Sequence, residues 1–359
     1  MRLIPTDEQR DLAASVRSFL AGTAPMARVR EIAEAPEPYD ARVWERMSGE
    51  LGLPGLAIPE EYGGAGAGHG EVAMVMEELG AALTPSPFFA SAVLAANVIL
   101  RSGDVEAAKD YLPGIASGGT VATFAVPEPG GRGVRAADGA LHGTASHVVN
   151  GADADLILVA AEDGGLYAVE SDAEGLARTP LETLDLTRPQ ARLEFAGTPA
   201  RRFGPADAGE AVQGALDLAA VALAAEQLGV LRHCLDTIVE YAKLRVQFGR
   251  FVGSFQGVKH KLADMHCTYE QAESIVRYAA WAADESPSDL PIAASLAQSY
   301  MGRASFQVAK DHLLLHGGIG FTWEHDAHFY YKRAKSAQLL LGSPRHHRAA
   351  LAERLDLVP

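Results

Sequence analysis

The chain has 359 residues, enough for two or three domains and a sizeable core. Lys and Arg number 31 against 46 Asp and Glu, and the net charge of −15 repels phosphate backbones and anionic lipid, which argues against nucleic-acid or membrane-surface binding. Two cysteines, Cys234 and Cys267, are too few for a disulfide framework or a Cys-rich zinc site. The opening MRLIPTDEQRDLAAS becomes charged before any apolar stretch suited to a secretory signal develops. The longest wholly apolar run, Leu218–Ala225, is too short to span a bilayer. A soluble, cytoplasmic protein with no membrane and no nucleic-acid partner is the expectation, and the function stays open.

Residues 1–115 read as an N-terminal helical domain. Leu12, Val16, Phe19 and Leu20 form one apolar stripe at helical spacing, and Val72, Met76, Leu79 and Leu83 another. Thr6 followed three residues later by Gln9 fits a capping box and marks the first helix start. GGAGAGHG at 63–70 reads as loop. Residues 116–207 change period: TVATFAV, ALHGTASHVV, DLILVAA and ARLEFAG are short, β-rich runs broken by Gly, Asp and Pro, and predict a central β domain. From 208 to 359 the helical texture returns, with helices expected over 212–244, 259–284, 289–315 and 325–340. Gly317, Gly318 and Gly320 break the pattern before the last of these.

Familiar chemistry is mostly excluded by inspection. No GxGxxG opens a βα unit, and no phosphate-cradling GxxxxGK[ST] loop or GxSxG elbow is present. His325, Asp326 and His328 lack the HExxH spacing and a clear further ligand, so no metal is expected there.

The distinctive stretch is LRVQFGRFVGSFQGVKHKLADM at 244–265. Its R-x-Q-F-G-(x5)-F-Q pattern falls on Arg245, Gln247, Phe248, Gly249, Phe255 and Gln256. HGGIGFTWEHD at 316–326 carries a G-G-x-G-[FY] pattern, and LGLPGLAIPEEYGGAG occupies 51–66. With the helix–β–helix layout, these segments resemble the acyl-CoA dehydrogenase family over nearly the whole chain. The resemblance implies an α+β multidomain fold: an N-terminal helical domain, a central β-barrel-like domain and a C-terminal four-helix bundle. It also implies FAD, an acyl-CoA or carrier-bound acyl thioester as substrate, and α,β-desaturation. In the family the arginine, phenylalanine and glutamine of this stretch hold the adenosine half of FAD from an adjoining subunit. That assigns cofactor binding to Arg245, Gln247, Phe248, Gln256, Gly317, Gly318 and Ser343. The physical reading agrees: an arginine fork suits a pyrophosphate, and glycines admit close backbone approach.

The chain departs from the family where the chemistry is done. The usual glutamate base precedes a Gly-Thr, and the matching string Gln338–Ser343 places Leu341 there. The alternative base position, early in the long helix, falls near Ala219, with Ala220 next to it. The T-E-P-x-x-G-S-D motif reads Pro127–Val134, the W-I-T strand reads His147-Val148-Val149, and Leu314 stands where a flavin-reaching glutamine is usual. Glu226 remains, inside LAAVALAAEQLGVL and two turns from Ala219. It reads either as a relocated catalytic base or as half of an ion pair with a cation on a neighbouring helix. Arg345-His346-His347-Arg348 reads as a phosphate contact or as solvated helix-start charge.

Three functional expectations follow. The first is an FAD-dependent dehydrogenase acting as one chain of a hetero-oligomer with a paralogous dehydrogenase chain, an arrangement that resembles actinobacterial steroid side-chain dehydrogenases. The second is a homo-oligomeric flavoenzyme using Glu226. The third is a flavin-free structural or acyl-binding subunit.

Overall fold

Local sequence sets the first element. In the computed structural model, which describes residues 3–126 and 133–357, helix α1 (Asp7–Thr23) opens on the predicted capping box. The Thr6 hydroxyl accepts from the Gln9 amide at 3.1 Å and the Gln9 side chain accepts from the Thr6 amide at 3.0 Å. Helices α2 (Met26–Ala33), α3 (Ala41–Leu51) and α4 (His69–Ala82) follow. A π-helical segment, Phe89–Ala95, runs into α5 (Ala96–Ser102), and α6 (Val105–Ala116) completes the helical part. The glycine-rich loop is shorter than predicted: α4 begins at His69, where the Glu71 carboxylate accepts from the Gly68 amide at 3.0 Å.

The central segment holds β1 (Ala122–Ala125), β2 (Val134–Ala137), β3 (Ala140–Val149), β4 (Leu156–Ala160), β5 (Leu166–Glu170), β6 (Leu176–Pro180), β7 (Gln190–Pro199) and β8 (Arg201–Phe203). They form two four-stranded sheets, β1-β4-β5-β8 and β2-β3-β7-β6, so the expected barrel-like domain is no closed barrel. Each sheet keeps its own edge strands. β1 and β4 pair in parallel, and β4 is buried along nearly its whole length, as a strand covered on both faces must be. β7 instead alternates, with Ala191, Leu193 and Phe195 inward and Arg192 and Glu194 outward. Those inward residues pack with Leu141, Ile157 and Val169 in one core.

The C-terminal part contains α7 (Gly209–Leu244), a hairpin of β9 (Val246–Gln247) and β10 (Arg250–Phe251), α8 (Gln256–Glu285), α9 (Leu290–Leu315), α10 (Ala327–Leu339) and α11 (Pro344–Arg354). The four predicted helices are present, and α11 is additional. Only Pro344 and His347 of PRHHRAALAER are buried, too thin a stripe for periodicity to reveal. Among the described residues α7 is the one helix long and apolar enough to cross a membrane. Its apolar window is 89% buried, which makes it a core helix.

Packing groups the chain into two units. One joins the residues up to 29 and 73–84 to those from 220 onward; the other comprises 30–72 and 85–219. In the second, the Asp104 carboxylate caps α6 and accepts from the Gly204 amide beyond β8 at 2.9 Å. In the first, α4 meets α7 backbone to backbone. A Cβ on Gly80 would overlap the Glu226 carbonyl, and one on Gly229 would overlap the Glu77 carbonyl. Around this crossing Glu77 pairs with Arg232 and Arg277, and Glu78 with Arg232 and Arg17. Gly229→Ala should therefore force the helices apart and cost about 1–3 kcal/mol or more, as overpacking does, read from denaturant unfolding. Wild-type stability in that variant would disprove the tight crossing.

Candidate functional site

The end of α7 turns into a hairpin whose tip carries the R-x-Q-F-G residues. Gln247 faces Arg250 across a two-residue turn, Phe248-Gly249, and both turn residues have positive φ, 52° and 75°. Glycine accepts that conformation, whereas a phenylalanine pays roughly 1–2 kcal/mol for it. Phe248 is also 91% exposed, and its ring meets that of Phe255 in a T-shaped contact at 6.2 Å. Arg250 covers Phe255 from 3.9 Å.

Arg245, Gln247 and Gln256 share this exposed region. The Arg245 guanidinium has no ion-pair partner among the described residues, while the Gln247 amide donates to the neighbouring Val246 carbonyl at 3.0 Å. Gln256 is the first residue of α8. The glycine segment lies at the end of α9. Gly317 has φ 67°, and a Cβ on either Gly317 or Gly318 would meet nothing, so their backbone is open to an incoming group. Ile319, Phe321 and Trp323 follow, 49%, 66% and 69% exposed, beside an exposed Leu314. The hairpin and the glycine segment are joined from beneath: the Tyr241 hydroxyl, one turn before Arg245, donates to the His316 carbonyl at 3.3 Å.

The position that the sequence resemblance matches to the family's base lies in a backbone turn. Leu341 has φ 58° and its carbonyl is 3.1 Å from the His347 Nε2. Ser343 caps α11, its hydroxyl accepting from the His346 amide at 3.3 Å. Of the second sequence cluster, His347 is buried in the protein while Arg345, His346 and Arg348 are exposed. Of the strand His147-Val148-Val149, the two valines are buried, His147 sits at φ 55° in a β-bulge, and the Thr123 hydroxyl donates to the Val149 carbonyl at 2.6 Å. The Pro127–Arg132 part of the other departing motif lies outside the described residues.

Glu226 is 1% exposed and faces Arg333 on α10. Its two oxygens accept from Nε at 3.0 Å and from an Nη at 3.1 Å, a fork-to-fork pair. The ion-pair alternative read from the sequence thus has its cation. Sequence reasoning missed Arg333 because FYYKRAKSAQL offers several cations and no local signal selects one. It also missed Tyr241, His312 and His316, although Thr237/Tyr241 and His312/His316 each stand four apart, which puts each pair on one helix face.

The comparisons with known proteins fall in line with this geometry. The profile of the acyl-CoA dehydrogenase N-terminal domain matches residues 6–119 and that of the C-terminal domain residues 208–356. The acyl-CoA dehydrogenase IpdE2 of Mycobacterium tuberculosis is 36% identical over 343 residues, covering 96% of each chain. Two solved structures superpose over almost the entire chain. The Tcur3481-Tcur3483 steroid ACAD, as its G363A variant, has a TM-score of 0.89 at 32% identity, covering 98% of both chains. The ChsE4-ChsE5 complex of Mycobacterium tuberculosis has a TM-score of 0.91 at 29% identity, covering 100% of both. The chain belongs to the acyl-CoA dehydrogenase family, and it is an oxidoreductase of the flavoprotein type.

Two predictions come from this chemistry. Arg333→Met leaves the Glu226 carboxylate buried without its guanidinium and should cost about 3–5 kcal/mol, read from denaturant melts. A loss below about 1 kcal/mol would show that the pair does not hold the bundle. Acid should act through the histidines: burial pushes His233 and His347 down to about 4 and His312 to about 2. The unfolded chain binds these protons near pH 6.5, before the folded one does. Their contribution is therefore complete above about pH 6.5 and declines as pH falls toward about 4. Thermal melts between those values should show a falling Tm, and replacing His233 with Phe should flatten the slope. A Tm independent of pH across this window would refute it.

Proposed function

We propose that the chain is one subunit of a two-chain, FAD-dependent acyl-CoA dehydrogenase, and that a paralogous chain supplies the carboxylate that takes the substrate's α-proton. The observation that carries this is the state of the two base candidates. Leu341 has no group that accepts a proton, and both oxygens of Glu226 are engaged by a buried, permanent cation. A general base needs a lone pair directed at the substrate. The paired chains of the Tcur3481-Tcur3483 steroid ACAD and the ChsE4-ChsE5 complex support the same arrangement.

The residues at the hairpin and the glycine segment fit half of a dinucleotide. Arg245 offers an exposed guanidinium fork for the pyrophosphate, and the space around Gly317 and Gly318 admits close approach to their backbone. Phe248 and Gln256 would hold the adenosine, Gln247 would add an amide, and Ser343 keeps a hydroxyl proton to donate while its oxygen caps α11. FAD, when bound, supplies the hydride acceptor for desaturation of an acyl thioester. This chain's part is to hold the cofactor's adenosine side and the partner. Phe248, Ile319, Phe321 and Trp323 present the apolar surface on which that partner chain would close. We place the enzyme in the cytoplasm, with acyl-CoA as substrate. The steroid ACAD among its neighbours makes steroid-derived acyl-CoA thioesters the first to try.

The test is expression alone and with a candidate paralogous chain. The chain alone should desaturate no acyl-CoA, and the pair should gain both flavin and activity. A chain that alone carries stoichiometric flavin and turns over would overturn the two-chain reading, and loss of that turnover in Glu226→Gln would identify its base. In the active pair, Arg245→Ala should weaken FAD by roughly 10–100-fold, the worth of one charge-assisted bond.

A further inference from the structure

Arg245 and the Gly317-Gly318 pair stand at the ends of two different helices, α7 and α9, and a dinucleotide half-site needs them in fixed register. The structure ties these ends together by two rungs, one helical turn apart. In the first, the Thr237 hydroxyl donates to the His233 carbonyl at 2.7 Å and lies 3.0 Å from His312 Nε2. Having spent its proton, that oxygen accepts from an Nε2–H, which fixes the His312 tautomer. In the second, the Tyr241 hydroxyl donates to the His316 carbonyl and the two rings lie 4.5 Å apart. His316 Nδ1 lies 2.8 Å from the His312 carbonyl and donates to it.

The glycine segment folds back onto the same residue. A Cβ on Gly320 would overlap the Leu313 carbonyl and stand 3.0 Å from the His316 Cβ. On the far side, the His325 ring lies 4.2 Å from that of His316, and the His325 Nδ1 accepts from the Ala327 amide at 3.1 Å. His316 is thus the residue at which α7, α9 and the entry to α10 meet. Its neighbour in sequence is Gly317.

We infer that His316, clamped between Tyr241 and His325, is a positioning residue that joins the Arg245 hairpin and the Gly317-Gly318 segment into one half-site, and that only its neutral form does so. The inference rests on the reading of these residues as the FAD adenosine half-site. Its chemistry follows from what faces the ring. Tyr241 comes from α7, His312 from α9 and His325 from the segment before α10; none carries a negative charge. Behind His312 lie His233 and Tyr330, whose rings are stacked at 4.0 Å. The charged groups acting there, Asp326 and Arg232, bear on His233 and oppose one another. His312 does not share an incoming proton, because its Nδ1 is buried with no hydrogen-bond partner among the described residues. Burial first, and then His325, hold the His316 imidazole below its ordinary value, against the pull of the His312 carbonyl. The junction is therefore intact above about pH 6.5 and is lost as pH falls through that lowered value.

The experiment titrates FAD into the flavin-stripped assembly in which the chain is isolated, at about pH 7.5 and about pH 5, with thermal melts alongside. Wild type should bind FAD, and bind it more weakly at the lower pH. His316→Phe keeps a ring but removes the Nδ1–H donor; it should bind roughly tenfold more weakly at the higher pH and lose the pH dependence. Tyr241→Phe removes one hydroxyl, should melt like wild type, and should weaken FAD by about 3–10-fold while keeping the pH profile. Failure of the wild-type chain to bind FAD both alone and paired with its paralogous chain overturns the half-site reading together with this inference. If wild type binds FAD but His316→Phe matches it in affinity and pH profile, only the role of His316 falls. Should His316→Phe fail to fold, unchanged FAD affinity in Tyr241→Phe overturns the junction.

Discussion

Much of the helical unit depends on one constraint: α4 and α7 touch through their backbones at Gly80 and Gly229. Two helices that close leave no room for side chains at the crossing, so every charge near it is buried and must be paired. Glu77 and Glu78 of α4 meet that demand with Arg17, Arg232 and Arg277, drawn from three different helices. Glu226 meets it with Arg333 of α10, while the Tyr330 hydroxyl, one turn earlier, donates to the Ala81 carbonyl at 2.9 Å. Contact area brings the helices together. The ion pairs select which faces meet, because a shifted register would strand a carboxylate in an apolar interior.

That arrangement bears on function because α10 lies between the two segments with family significance. Its N-terminal end follows the glycine segment 317–321 and its C-terminal end leads into Leu341 and Ser343. Anchoring α10 at Tyr330 and Arg333 fixes both. The acidic side chain that sequence position alone would nominate for proton transfer is therefore better understood as part of the frame. Leu341 sits in a left-handed turn, its carbonyl held to a buried histidine.

The outer surface has the opposite character. Phe248 is strained and exposed, Arg245 has no ion-pair partner among the described residues, and the backbone at Gly317 and Gly318 is open. Each of these is costly or unexplained within the chain by itself, and each is what a shared cofactor site at a subunit boundary asks for. A buried frame whose charges are paired and an exposed hairpin and glycine segment thus divide the helical unit into two regions of opposite character.

Sequence by itself determined the local features. The Thr6–Gln9 box, the helix periods, the β-rich middle and the family patterns at 245–256 and 317–321 are short-range, each set by residues within a turn or a strand of one another. It also determined that position 341 carries no ionisable group, since a leucine is a leucine in any fold. Tertiary structure alone decided that the middle strands form two sheets with edges and no closed barrel, because strand pairing is long-range and β1 meets β4 only across the intervening strands. It alone decided the role available to Glu226: which of several cations reaches a buried carboxylate depends on helix packing, and Arg333 lies more than a hundred residues further along the chain. The same holds for Tyr241 and His316, whose spacing marks a helix face while only the crossing of α7 and α9 makes that face a junction.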